Sequence, residues 1–246
     1  IPKFYLSMSN MKAKFCNPFC EGCSVDPSFD IEAEGESEHE SLVRGRRRMV
    51  YKKGESIFTE GSKPSGVFCL KRGKIKVHKT GNHKKEQILR FAREGQLLGT
   101  RALIRNEYFT SSATAIENSV LCFVSKQEFL AKFKKDVELK SFVLSNLSNN
   151  LKIAEDKITQ LSISSVGQRL AIIILRLIEV YGFEKDGKTV AIELTREEMA
   201  NIIGAANETT IRLLSKFRKE KIIALNGRKL TVLKHKAIVD LALASG

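Results

Sequence analysis

Between about residue 46 and residue 132, short apolar segments alternate with polar ones and are punctuated by Gly54, Gly61, Gly66, Gly73, Gly81, Gly95 and Gly99. Within VFCLKRGKIKV, Ile75 and Val77 alternate with Lys74 and Lys76, the period of a half-buried strand. Many such strands separated by turns predict an antiparallel barrel or jelly roll over 46–132. The period then changes. Leu144, Leu147, Leu151, Ala154, Ile158 and Leu161 recur at steps of three and four, and no Pro or Gly interrupts Phe133 to Val166. This predicts a long helix over 133–163. Its apolar stripe is narrow and flanked by polar residues, as in the seam of a coiled-coil homodimer. A helix packed on its own barrel is the alternative.

The last stretch, 164–246, predicts a small helical domain. Leu170 to Tyr181 is a strongly apolar helix ended by Gly182. In LTREEMANIIGAANETTIRLLSKFRKEKII, Thr195 and Glu198 have the spacing of a capping box, each side chain serving the other's backbone amide. Met199, Ile202 and Ile203 give the buried face of a short helix, and Gly204 supplies the turn. A second helix starts near Ala206 or Asn207, with Ile211, Leu214 and Phe217 inward. Two short helices joined by a glycine turn predict a helix-turn-helix. KIIALNGRKLTVLK then predicts a two-stranded wing turning at Asn226-Gly227. The fold class is α+β.

Charge adds a partner. The 246-residue chain carries a formal net charge of +14, which favours a polyanion, most often nucleic acid. Arg212 to Lys236 holds nine basic residues and one acid, Glu220. Lys71 to Arg93 has the same nine-to-one balance, on what reads as solvated strand surface. Residues 1–45 predict a loose arm, acidic from Ser24 to Ser41 with seven carboxylates and no Lys or Arg. No apolar run approaches the roughly 18 residues of a membrane span, and the opening IPKFYL lacks a secretory pattern. A cytoplasmic protein without a membrane partner is expected.

The arm also holds the most conspicuous chemistry. FCNPFCEGC places Cys16, Cys20 and Cys23 within eight positions, in a chain with five cysteines. In a cytosolic protein, metal or redox roles are better defaults than disulfides. Exposed thiols, structural zinc and an iron–sulfur cluster are the alternatives. Cys69 reads as a core residue. His39, His78, His83 and His235 show no ligand spacing and read as solvated surface.

Taken in order, these features resemble the CRP/FNR family of bacterial transcription regulators over about residues 46–240. KKGESIFTEGSKPSGVFCLKRGKIKV is similar to its cyclic-nucleotide-binding-type β-roll, the seam to its dimer helix and the last segment to its winged helix-turn-helix. In the cyclic-nucleotide branch, a Gly-Glu pair holds the ribose and an Arg-Ser/Thr pair the phosphate. Here LLGTRALI and YFTSSATA put Thr100 at the Glu position and Ser111 at the Arg position. Cyclic AMP has lost its carboxylate acceptor and its guanidinium partner, so it is not expected to bind in the usual way.

The FNR branch carries a [4Fe–4S] cluster on three N-terminal cysteines plus one near the end of the β-roll. The resemblance implies Cys16, Cys20, Cys23 and Cys122 as ligands, with oxygen or nitric oxide as the signal. The spacing is C-x3-C-x2-C rather than C-x2-C-x5-C. Structural zinc on the same thiolates, or an empty arm with another ligand in the β-roll, is the rival. Ala154 at mid-seam, with Asp156 and Lys157 on its flanks, implies a dimer less dependent on the cluster than in better-known relatives.

The FNR pattern Glu-x-x-Ser-Arg is here Glu208-Thr209-Thr210-Ile211-Arg212. It implies that Glu208 and Arg212, four apart on one helix face, read the two halves of a G·C pair in a TGA-like half-site. Asn207 would read another base, and Ile211 would meet a thymine methyl. Arg196, Thr209, Arg228 and Lys229 are candidates for phosphate contacts. A two-fold dimer implies a palindromic site on double-stranded DNA, and the family implies contact with RNA polymerase. C-x3-C-x2-C is also the spacing of radical S-adenosylmethionine enzymes. They need a large α/β barrel for which this chain has neither room nor pattern, so no enzyme is expected.

Overall fold

Strands fill the first half of the chain and helices most of the second, in the order of the sequence patterns. The computed structural model describes residues 42–43, 46–81 and 85–244. Cys16, Cys20 and Cys23 lie outside the described residues, as does the rest of the predicted arm apart from Leu42 and Val43. The chain divides into two units, one of residues up to 80 with 89–152 and one of residues 81–88 with 153–246.

The first unit is the β-roll. Its strands are β1 (Leu42–Val43), β2 (Arg46–Tyr51), β3 (Ser56–Phe58), β4 (Gly66–Arg72), β5 (Ile75–Thr80), β6 (Glu86–Ala92, which runs on from the second unit), β7 (Leu97–Leu98), β8 (Ser112–Ala115) and β9 (Ser119–Ser125). One sheet has the order β1-β2-β9-β4-β7 and the other β3-β8-β5-β6. A short helix, α1 (Thr100–Arg105), precedes β8, and α2 (Lys126–Lys135) follows β9.

Strand alternation sorts β9 between two cores. Leu121 and Phe123 join Tyr51, Ile57, Phe68 and Leu70 inside the roll. Cys122 and Val124 point the other way, into a cluster with Phe129 of α2 and Leu139 and Val143 of the next helix. Burying Phe129 completely stabilises the unit by about 1.5–3 kcal/mol. Gly66 is required where β4 passes β9, because a Cβ there would lie 2.1 Å from the Val124 carbonyl oxygen.

The long helix is shorter than its pattern. Phe133 belongs to α2, and α3 runs Val137–Ile163. No proline or glycine makes this break; Asp136 does. Its amide donates to the Lys132 carbonyl, closing α2, and its carboxylate accepts from the Leu139 amide at 2.9 Å, opening α3. That amide bond is the main reason the Asp136 carboxyl is held below its usual range. A capping aspartate competes with helix continuation through its own side chain.

The stripe on α3 is also divided. Leu147 packs against the cluster beneath the β-roll. Leu144, Leu151 and Ile158 are 60–68% exposed, and Val137, Ala154 and Leu161 are exposed as well. Lys157 does not lie free on the flank. Its ammonium donates to the Ile88 carbonyl, and burial, with Arg176 nearby, pushes its pKa down to about 8.

His78 is buried rather than solvated: its Nε2 lies 3.0 Å from the Thr114 hydroxyl on β8, a partner that offsets the burial of that ring nitrogen. Cys69 is buried on β4, as expected.

The second unit holds α4 (Val166–Tyr181), α5 (Arg196–Ile203), α6 (Asn207–Lys219), β10 (Ile223–Asn226), β11 (Lys229–Val232) and α7 (His235–Leu243), which packs on α4. A Ser165/Gln168 capping box starts α4 and Gly182 ends it. Leu170, Ile174 and Leu177 face the core with Val190, Leu194 and Met199. Asn226 pairs with Lys229 across the wing. The turn is therefore Gly227-Arg228, one residue later than expected.

Candidate nucleic-acid interface and cysteine site

The capping box at Thr195 and Glu198 is present in both directions: the Glu198 amide donates to the Thr195 hydroxyl at 3.0 Å, and the Thr195 amide to the Glu198 carboxylate at 2.8 Å. It fixes where α5 begins. Gly204 ends the helix with φ +65°, and a Cβ there would come within 2.7 Å of Leu161 Cδ2. Gly204→Ala is expected to lower stability by about 1–4 kcal/mol, combining left-handed strain with overpacking. Urea unfolding checks this; an unchanged midpoint would contradict it.

Arg169 of α4 holds the same corner. Its Nε donates to the Ile203 carbonyl at 2.8 Å, and its Nη atoms donate to Ser164 and Gly204. Gln87 adds a bond to the Asn201 carbonyl. These groups satisfy carbonyls that helix ends leave open. No local motif announces them, because the partners lie far away in sequence.

The recognition helix α6 is oriented by its inner face. Thr210, Leu214 and Phe217 are buried, and the Thr210 hydroxyl donates back to the Ala206 carbonyl at 3.0 Å. This departs from the expected Ile211, Leu214 and Phe217: Thr210 takes the inward place, and Ile211 is 43% exposed. Asn207, Glu208 and Arg212 are exposed, and Thr209 is half-buried. Glu208, Ile211 and Arg212 thus share one solvent-facing side.

Around this face the cations differ. Arg196 donates through Nη2 to the Gly227 carbonyl at 3.0 Å, tying α5 to the wing tip. Burial, then the nearby Arg218, lowers its pKa. That charge pairing makes Arg218, exposed near the end of α6, a further phosphate candidate that the sequence motif did not single out. Lys229 is committed to Glu184 at 2.8 and 3.0 Å, which raises its pKa. Arg228 stands exposed in the wing turn. Behind it, Asp186 is held down to about 2 by the Thr189 hydroxyl and the Thr189 and Lys188 amides, and Thr189 reaches Thr231 on β11.

In the β-roll, Thr100 is buried, and the Ser112 hydroxyl accepts the Glu60 amide at 2.9 Å. Ser111 beside it is only half-buried. Arg101 is turned to the Thr110 hydroxyl. Cys122 is 4% exposed, and its register partners are Arg48 on β2 and Cys69 on β4. Among the described residues no three His, Cys, Asp or Glu side chains come together as a metal site. Cys122 is the one described member of the four proposed donors. A thiol among Val67, Leu97, Val124 and Phe129 suits a sulfur-bound iron cluster better than a hard, oxygen-seeking cation.

The comparisons follow this division. Residues 48–136 match the cyclic nucleotide-binding domain, and residues 168–241 match the Crp-like helix-turn-helix domain. The chain belongs to the CRP/FNR family. It is a DNA-binding transcription regulator, not an enzyme. The fumarate and nitrate reduction regulatory protein of Vibrio cholerae is 27% identical over 92% of this chain and 91% of its own. The protein of that name from Escherichia coli K12 is 26% identical over the same shares. Among solved structures, FixK2 from Bradyrhizobium japonicum superposes with TM-score 0.71 at 20% identity, covering 83% of this chain and all of its own. A CRP/FNR-family transcriptional regulator from Thermus thermophilus gives 0.71 at 22%, covering 81% of this chain and all of its own. Among the described residues of this CRP/FNR protein, no helix is long and apolar enough to cross a membrane.

Proposed function

We propose that this CRP/FNR regulator acts as a homodimer that reads a palindrome with TGA-like half-sites and is gated by a [4Fe–4S] cluster on Cys16, Cys20, Cys23 and Cys122. The carrying observation is the outward face of α6, where Glu208 and Arg212 stand exposed opposite buried Thr210, Leu214 and Phe217. A helix presented this way can enter the major groove. Arg212 donates two bonds to guanine O6 and N7, and Glu208 accepts from cytosine N4. Ile211 beside them offers a methyl contact to thymine. Arg228, Arg196 and Thr209 position the duplex, as does Arg218.

The sensor part rests on thiol number and on the loss of nucleotide ligands. Four thiolates are the donor set of a cubane cluster. Thr100 and Ser111 cannot replace a carboxylate and a guanidinium for cyclic AMP. When bound, the cluster would supply a centre that oxygen or nitric oxide degrades. Cys122 anchors it to β9, directly beneath the start of α3, so its ligation state bears on the helix that carries the exposed stripe. The protein acts in the cytoplasm and, by family resemblance, contacts RNA polymerase.

Anaerobically purified protein is expected to be brown, with about four iron and four sulfide per chain. Colourless protein holding one zinc would overturn the sensor reading and leave DNA recognition standing.

A further inference from the structure

Cys69 faces Cys122 across the ladder between β4 and β9. The pairing holds step for step from Gly66↔Ser125 through Cys69↔Cys122 to Leu70↔Leu121, and slips only beyond Leu70. The two thiols are therefore held opposite each other. Directly opposed residues in an antiparallel pair have Cα atoms about 4.5–5.5 Å apart, inside the roughly 4.4–6.8 Å that a disulfide spans. Strand alternation puts both side chains on the face covered by α2 and the start of α3, in one cluster with Val67, Val124, Phe129 and Leu139. Neither cysteine is in a disulfide.

We propose that Cys69 and Cys122 form a reversible cross-strand dithiol–disulfide couple within one chain, with hydrogen peroxide as oxidant. Burial selects the oxidant class. At 1% and 4% exposure, the thiols admit a small neutral peroxide during breathing of the sheet, not a bulky peptide disulfide. One sulfur attacks a peroxide oxygen; the O–O bond breaks, water leaves, and that sulfur becomes a sulfenic acid. The second sulfur attacks the first; the S–O bond breaks and a second water leaves. Two thiols and one peroxide give one disulfide and two waters. An added dithiol reverses it by two exchanges.

The consequence for sensing rests on the cluster reading above. In the disulfide, Cys122 has no thiolate to offer iron. Peroxide would then lock the apo-protein out of cluster assembly until it is reduced, and Cys69, which is not a ligand, would be the residue that makes this possible.

The test uses the full chain as apo-protein, freed of reductant and treated with hydrogen peroxide. It is then denatured, alkylated and digested without reduction. Mass spectrometry is expected to find the peptide of Cys69 joined to that of Cys122, with two of the five cysteines no longer alkylated and both restored by dithiothreitol. Oxidised glutathione should leave the pair alkylatable. Cys69→Ala, with Cys69→Ser as a second variant should the first fold poorly, should give no linked peptide. It should still take up iron and sulfide after peroxide, where the wild type does so only after dithiothreitol. Cys69 and Cys122 alkylated separately, or Cys122 joined to an arm cysteine, would overturn the proposal. A Cys69–Cys122 link in protein that never takes up iron would keep the couple and remove the cluster.

Discussion

Arg212→Ala is expected to cost about 1–3 kcal/mol of specific DNA binding, or about 5- to 150-fold in affinity, and to relax selectivity at a single base pair. The reason is local. Arg212 stands exposed on α6 four residues after Glu208, so the two side chains reach the same base pair. Removing the guanidinium leaves guanine O6 and N7 without their bidentate donor, and Glu208 still accepts from the paired cytosine. Binding to random DNA should change little, because phosphate contacts carry that part. A second comparison sharpens the point. Lys229→Ala should affect DNA binding less than Arg228→Ala, since Lys229 is already engaged by Glu184. Footprints and competition titrations at fixed salt, with each base of the half-site varied, provide the measurement. An unchanged base preference for Arg212→Ala would show that α6 does not read that pair.

Leu151→Asp is expected to convert the dimer into a folded monomer. Leu151 is 60% exposed in the single chain, in a row with Leu144 and Ile158 at steps of seven. A heptad row on a 27-residue helix gives a seam about 40 Å long, and a two-fold axis would set the two introduced carboxylates near each other. Affinity for a palindrome should then fall by about 100-fold or more, the advantage that linking two readers confers. Leu147→Asp should behave differently. Leu147 packs beneath the β-roll, so its replacement should lower the unfolding midpoint of the chain itself. Sedimentation velocity at micromolar concentration, with circular dichroism as the folding control, separates the two outcomes. A Leu151→Asp dimer would place the interface elsewhere. Cluster-free wild type is expected to sediment as a dimer, because Ala154 brings no like charges together at mid-seam.

Much of this was legible because it is written in short-range chemistry. Thr195 and Glu198 are three residues apart and can only cap each other. Gly182 and Gly204 stop helices where the apolar period ends. The period-two run around Ile75 has to be a strand. The departures all come from choices that depend on something distant. The run from Phe133 to Val166 is free of helix breakers, yet Asp136 divides it by accepting the Leu139 amide. Ile211 has a core-like side chain and the right spacing, yet Thr210 sits inward, because a hydroxyl that donates to the Ala206 carbonyl can be buried without loss. His78 looked solvated until Thr114, thirty-six residues later, came beside it.

The sequence by itself determined the element types, the helix-turn-helix, the missing nucleotide ligands and the basic character that suits DNA, because periodicity, caps and charge act over a few residues. Only the tertiary structure decided which apolar residues of α3 are left exposed, which cations are engaged by protein, and that Cys69 and Cys122 stand opposite each other. Those outcomes depend on strand register and on helix packing between segments far apart in the chain, and no local pattern encodes such distances.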